Sequence, residues 1–212
     1  EEELIQAGKI IAGIDEAGRG PLMGPVVAAA VVFDKKPDLP KLNDSKKLSE
    51  KNREELFDLI NQQAYAIGIG IVDNKEIDQT NILIATMKAM HLAADMINDK
   101  HNYLLIDGNY FKSSTYHDYL TVVKGDSKCI SIAAASIIAK VTRDRWIYNE
   151  AHAKYPMYEF ASHKGYATAK HIAALKEHGP CQYHRMSFLS KILSDNVVTK
   201  TNNSLCNDGK FL

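Results

Sequence analysis

Three short apolar runs, Lys9–Ile14, Val26–Phe33 and Tyr65–Val72, constrain this chain more than any other feature. Each is made largely of β-branched or small residues and is bounded by turn formers, as strands are. Strands so early, followed by alternating helix and strand patterns, favour a mixed sheet flanked by helices over a strictly alternating parallel one. The fold class expected is therefore α/β.

The remaining elements follow from periodicity. Behind a Ser49 cap, Leu56, Leu59 and Ile60 recur at helical spacing through Gln63. Ile82–Asn98 carries an apolar stripe of helical period, and Tyr103–Asp107 runs extended into Gly108. Tyr119–Lys124 supplies a fifth strand, ending at Gly125-Asp126. The Ala-rich run Ser131–Tyr148 has strong helix propensity and no interior Gly or Pro. Further helices are expected over Thr168–His178 and near Phe188–Leu193, with a Gly179-Pro180 stop between them. From Asp195 the chain is polar and aperiodic, which predicts a flexible tail over 195–212. With 212 residues, 45% of them hydrophobic, residues 1–194 suffice for a single catalytic-sized domain, including C-terminal helices over about 156–194.

Charge excludes less than it first suggests. Lys plus Arg and Asp plus Glu number 26 each, so no bulk positive charge marks a polyanion binder, and any basic footprint must be local. Cys129, Cys181 and Cys206 form no CxxC pair and no disulfide framework, which fits a reducing cytoplasm. No stretch approaches the roughly 18 to 20 apolar residues of a membrane span, and the acidic start Glu1-Glu2-Glu3 is unlike a secretory signal.

Carboxylates gather where strands end. In Gly13-Ile14-Asp15-Glu16-Ala17-Gly18-Arg19-Gly20-Pro21 two adjacent acids close a strand and run into a glycine-rich turn. Adjacent strand residues point to opposite faces, so Asp15 and Glu16 serve one site only if the backbone bends between or just after them. Asp107 closes the fourth strand and Asp126 the fifth, whereas Asp34 and Asp73 read as solvated turn formers. Clustered carboxylates repel, and they relieve that repulsion by holding protons or binding cations. Hard oxygen ligands favour Mg²⁺ or Mn²⁺, and a pair of such ions suits in-line phosphodiester hydrolysis.

Several segments together carry a resemblance: GIDEAGRGPLMGPVVAAAVV, DSKKLS at Asp44–Ser49, LLIDG, KGDSKCISIAAASIIAKVTRD at Lys124–Asp144, and the later HKGYAT and HRMSF. In this order and spacing they resemble ribonuclease HII from about Ile10 to Leu189, which is far more specific than a lone short pattern. The resemblance implies a ribonuclease H-like fold with a five-stranded sheet and a C-terminal helical extension. It matches the family's four metal-site carboxylates to Asp15, Glu16, Asp107 and Asp126. The implied activity is endonucleolytic hydrolysis of the RNA strand of RNA/DNA hybrids, and incision 5′ to ribonucleotides in duplex DNA. It leaves 5′-phosphate and 3′-hydroxyl ends and serves ribonucleotide removal from DNA.

Such an enzyme must sense a 2′-hydroxyl. Gly18-Arg19-Gly20 suits close backbone approach to the sugar, and Tyr166 matches the family's tyrosine that stacks beside the ribonucleotide. Lys46 is the preferred phosphate contact. Ser136, Lys140, Arg143 and Asp144 either orient ligands or stabilise their helix. His163, His171, His178 and His184 match no zinc spacing. The rival readings are a ribonuclease HIII-like hybrid nuclease, against which Arg19 and the early Asp15 argue, and an inactive nucleic-acid binder, against which the four carboxylates argue. The chain is expected to act as a monomer on nucleic acid, with no membrane partner.

Overall fold

The computed structural model describes residues 1–40, 42, 48–190 and 192–193, which divide into two compact units. The expected tail over 195–212, Lys46 and Cys206 lie outside the described residues.

The first unit, residues 1–19 and 25–146, is built on a five-stranded sheet. A short α1 (Glu2–Gln6) leads into β1 (Ile11–Ala17) and β2 (Val26–Val32), then α2 (Glu50–Gln63), β3 (Ala66–Val72), α3 (Asn74–Gln79) and α4 (Ile82–Asp95). After them come β4 (Tyr103–Asp107), β5 (Tyr119–Val122) and α5 (Ile130–Trp146). The order across the sheet is β3-β2-β1-β4-β5. β1, β2 and β3 form an antiparallel meander, while β4 and β5 run parallel to β1. The expected mixed sheet flanked by helices is what forms.

Every residue of β2 is buried, because both of its faces are covered. On one face Val27, Ala29 and Val31 pack with Leu56 and Ile60 of α2 and with Ala134, Ile138 and Val141 of α5. On the other, α4 lies over the sheet with its buried row Ala85, Ala89, Met90 and Ala93. Small side chains on α5 let it lie close to the strands. At Gly13 of β1 an added Cβ would sit 2.3 Å from the Ser131 carbonyl carbon, so this contact tolerates only glycine. At roughly 25 cal/mol per Å² of apolar area, this two-sided burial is the main stabilising term.

Several boundaries differ from the sequence expectation, each for a local reason. Asp73 is exposed, as expected of a solvated residue, but it does more than turn the chain: its carboxylate accepts from the Glu76 amide and caps α3, a helix the apolar pattern does not reveal. β5 stops at Val122, and Lys124 takes a left-handed φ of 57° to turn the chain toward Asp126. The Ala-rich helix keeps α geometry to Trp146, then widens into a π-helical turn over Ile147–His152.

The second unit holds Gly20–Gly24 and the chain from Ile147 onward. It contains α6 (Phe160–His163), α7 (Ala169–His178) behind a Thr168 cap, and a helical stretch over 186–190 and 192–193. The Gly20–Gly24 segment is held here by backbone bonds: the Leu22 amide donates to the Gly165 carbonyl, and the Gly24 amide to that of Tyr183. Arg185, fully buried, donates from Nε to the Gly24 carbonyl at 3.0 Å and from Nη1 to the Pro21 carbonyl at 2.8 Å. No helix among the described residues is long and apolar enough to cross a membrane.

Candidate active site

β1 and β4 are adjacent and parallel, with Ile14 paired to Ile106, so Asp15 and Asp107 emerge side by side at the carboxyl ends of the strands. That is where open α/β sheets place their ligands. β1 stays regular through Ala17, which still pairs with Val27, so the bend comes just after the two acids, at Gly18 with φ +98°. A side chain at Gly18 would be both strained and blocked, because its Cβ would meet Arg143 Nε at 2.3 Å.

Asp15 lies on the α5 face of β1, 6% exposed, and accepts hydrogen bonds from the Ser136 hydroxyl and, at 2.7 Å, from the Glu16 amide. Burial pushes its carboxyl well above the usual carboxylate range, and the nearby charges of Glu16 and Asp107 push it further. Burial likewise raises Glu16. The Arg19 guanidinium, with Nη1 3.1 Å from Glu16 Oε1, opposes that rise, and Asp107 adds to it. Asp107 accepts the Gly125 amide on Oδ1 at 2.6 Å. The next residue, Asp126, is buried on the turn Gly125–Ser127 that precedes α5. Asp15, Glu16 and Asp107 therefore act on one another electrostatically, and Asp126 is the residue after Gly125, whose amide Asp107 holds.

The donor set suits a hard divalent cation, since every member offers carboxylate oxygen and the buried repulsion at Asp15 is of the kind a cation relieves. Among the described residues, no three His, Cys, Asp or Glu side chains are gathered into a finished cation cage. Instead, Glu16 pairs with Arg19 and Asp107 accepts from the Gly125 amide.

The other expected site residues are distributed as follows. Gly18 and Arg19 continue directly from the acids, with Arg19 exposed. Gly20 and Tyr166 lie together in the second unit, where a Cβ on Gly20 would be 3.5 Å from Tyr166 Cε1. Tyr166 is half-exposed. Lys46 lies outside the described residues.

Two supporting groups were legible only as alternatives in the sequence. Ser136 bonds Asp15, and Arg143, itself buried, packs behind Gly18 and donates from Nε to the Pro25 carbonyl at 3.0 Å. The spacing Ser136, Lys140, Arg143 puts them on one face of α5, which is the signal that assigns them to the site side of the helix. His163, His171 and His184 do come together, but around each other and the backbone. Each of their ring nitrogens lies within hydrogen-bond distance of a protein atom.

Comparison with known proteins adds a second line of evidence. The family model described as Ribonuclease HII matches residues 12–191. A ribonuclease HII from Caldanaerobacter subterraneus subsp. tengcongensis is 54% identical over 194 residues, covering 91% of this chain and 80% of the relative. Another from Acetivibrio thermocellus is 55% identical over 194 residues, covering 91% and 75%. Among solved structures, ribonuclease H2 from Pyrococcus horikoshii OT3 superposes with a TM-score of 0.71 at 28% identity, covering 88% of this chain and 98% of that one.

Proposed function

The chain belongs to the ribonuclease HII family, and from that premise we propose that Asp15, Glu16, Asp107 and Asp126 are the catalytic and metal-holding residues of an endoribonuclease. It hydrolyses the RNA strand of RNA/DNA hybrids and incises duplex DNA on the 5′ side of an embedded ribonucleotide. The observation that carries the site assignment is the mutual influence of Asp15, Glu16 and Asp107 at the ends of two adjacent parallel strands.

The four carboxylates would hold Mg²⁺ or Mn²⁺. When bound, a pair of such ions supplies Lewis-acid activation of the attacking water and stabilises charge on the leaving oxygen. The chain's own residues prepare the place. Ser136 and the Glu16 amide fix the orientation of the Asp15 carboxylate, and the Gly125 amide fixes that of Asp107. Apolar packing by α5 keeps the strand ends rigid.

Substrate reading falls to Gly18, Arg19, Gly20, Lys46 and Tyr166. A turn without Cβ atoms at two of its three positions lets backbone groups reach a 2′-hydroxyl. Tyr166, half-exposed along Gly20, offers its ring to the adjoining sugar. Lys46 contacts phosphate and positions the duplex without specifying its sequence. Zero formal net charge is compatible with this, because bound divalent ions add positive charge where the polyanion docks. The free thiols Cys129 and Cys181 support a cytoplasmic setting.

The test is product analysis on a DNA duplex with one internal ribonucleotide, with Mg²⁺ or Mn²⁺ and with EDTA. Metal-dependent incision 5′ to the ribonucleotide with 5′-phosphate and 3′-hydroxyl ends is expected. A 2′,3′-cyclic phosphate product would refute the reading, since the 2′-hydroxyl would then be the nucleophile.

A further inference from the structure

The second unit contains a buried polar chain that the proposed chemistry does not use. The Cys181 amide donates to His184 Nδ1 at 2.9 Å, so that nitrogen is unprotonated. In a neutral ring the proton then sits on Nε2, which lies 3.0 Å from His171 Nε2. His184 donates there, leaving His171 Nε2 as acceptor and its Nδ1–H to donate to the Tyr166 carbonyl at 2.9 Å. Each link dictates the next, and only one pair of tautomers satisfies the whole chain. Both rings are fully buried, 0% and 2% exposed, against Phe160, and desolvation holds each neutral with its pKa lowered to about 4.

The relay ends on the residue that follows a left-handed turn. Tyr166 follows two left-handed residues, Lys164 at φ 51° and Gly165 at φ 82°, and the first is a strained position for a side chain. Its carbonyl accepts from both the Thr168 amide and His171, and its amide donates to the His163 carbonyl. His163 is fixed in turn, its Nδ1 accepting from the Gly165 amide and its Nε2 facing the Tyr158 carbonyl at 2.8 Å. The backbone of Tyr166 is thus pinned from within while the residue as a whole stays 47% exposed. Pinning the backbone of an exposed contact residue is how a binding site is preorganised.

We propose that His171 and His184 are positioning residues for Tyr166, setting through one shared proton order the angle at which its ring meets the substrate. The proposal rests on the reading of Tyr166 as the residue that selects the ribonucleotide. Asn places an amide donor near the position of imidazole Nδ1, so His171→Asn keeps the bond to the Tyr166 carbonyl, whereas His171→Leu keeps volume and removes the donor.

The experiment measures the ratio of cleavage of a single-ribonucleotide duplex to cleavage of an RNA/DNA hybrid for wild type, His171→Leu, His171→Asn, Tyr166→Ala and the double variant His171→Leu/Tyr166→Ala. The ratio should fall about tenfold in His171→Leu, below the roughly hundredfold that a 1 Å misplacement can cost. His171→Asn should restore it to within about threefold of wild type, and His171→Leu should add nothing to Tyr166→Ala, because coupled residues are non-additive. A folded His171→Leu with the wild-type ratio, or with an effect additive to that of Tyr166→Ala, overturns the positioning role. No change in Tyr166→Ala itself overturns the underlying reading as well. Long-range ¹H–¹⁵N spectra of the wild type test the relay independently of how the variants fold: neutral rings with the proton on Nδ1 of His171 and Nε2 of His184 support it, and any other tautomer pair at pH 7 overturns it.

Discussion

The carboxylates at the ends of β1 and β4 and the imidazoles of His163, His171 and His184 are both buried titratable clusters, yet burial acts on them in opposite ways. Around Asp15 the neighbours are Glu16 and Asp107, of the same charge, and the carboxyl is raised by burial first and by them second. Around His171 and His184 the neighbours are each other, a backbone amide and a backbone carbonyl, and each ring is satisfied in its neutral form. In the first cluster the hydrogen bonds and Arg19 only partly offset burial and like-charge repulsion, and a proton or a cation relieves the remainder. The second is closed. A buried group whose repulsion is unrelieved within the chain is a candidate for function, and one that is fully bonded is a candidate for architecture.

The largest effect should come from breaking the first cluster. Asp107→Asn preserves shape and the bond to Gly125 but removes a charge, and steady-state cleavage should fall by about 10³-fold or more, as when a key charge-stabilising group is lost. A loss under tenfold would move the chemistry away from β4.

Much of this contrast was legible in the sequence, and what was not has identifiable causes. The strands of β1, β2 and β4 stand out because buried strands leave runs of apolar residues, and the acids stand out because they interrupt them. Ser49 and Thr168 cap the helices they precede, as their side chains suggest. The capping role of Asp73 is invisible to apolar periodicity, since α3 buries only Asn74 and Ile77. The histidine relay is hidden for another reason: its outer links run to the backbone of Tyr166 and Cys181 and its central link joins two imidazoles directly, and spacing rules for metal ligands do not register such bonds.

The second cluster should reveal itself in acid. His171 and His184 have folded pKa values of about 4 against an ordinary 6.5, so the unfolded chain takes up protons that the folded chain refuses. Their contribution to stability is present above pH 6.5 and is lost as pH falls through that value toward 4. The loss is roughly 3 kcal/mol for each ring if they titrate independently, and less for a hydrogen-bonded pair. Urea unfolding at pH 7 and pH 5 samples roughly 2 kcal/mol of it per ring, and an unchanged midpoint would show that the rings are charged or exposed. Asp15 in the metal-free protein has the opposite sign: its raised pKa favours the folded state below the ordinary carboxylate value, and that contribution is lost as pH rises through the folded value.

The smallest effect belongs to the exposed edge of the first cluster. Arg19→Ala removes the 3.1 Å ion pair with Glu16, whose partner side chain is half-exposed, so stability should change by less than about 1 kcal/mol. The same change should leave Glu16 raised further, because Arg19 is the main influence that lowers it. A carboxylate titration followed by NMR checks the second part, and an unmoved Glu16 would mean that the ion pair does not persist in solution.

The most direct test of the contrast is the melting temperature of the protein with and without Mg²⁺ or Mn²⁺, for wild type, Asp15→Asn and His171→Leu. A ligand that binds only the folded state raises its stability by RT ln(1 + [L]/Kd). The ion should raise the melting temperature of wild type and of His171→Leu alike and leave that of Asp15→Asn unmoved. A rise that survives in Asp15→Asn but vanishes in His171→Leu would contradict the account, because it would put the cation among the imidazoles and leave the strand-end carboxylates without a function.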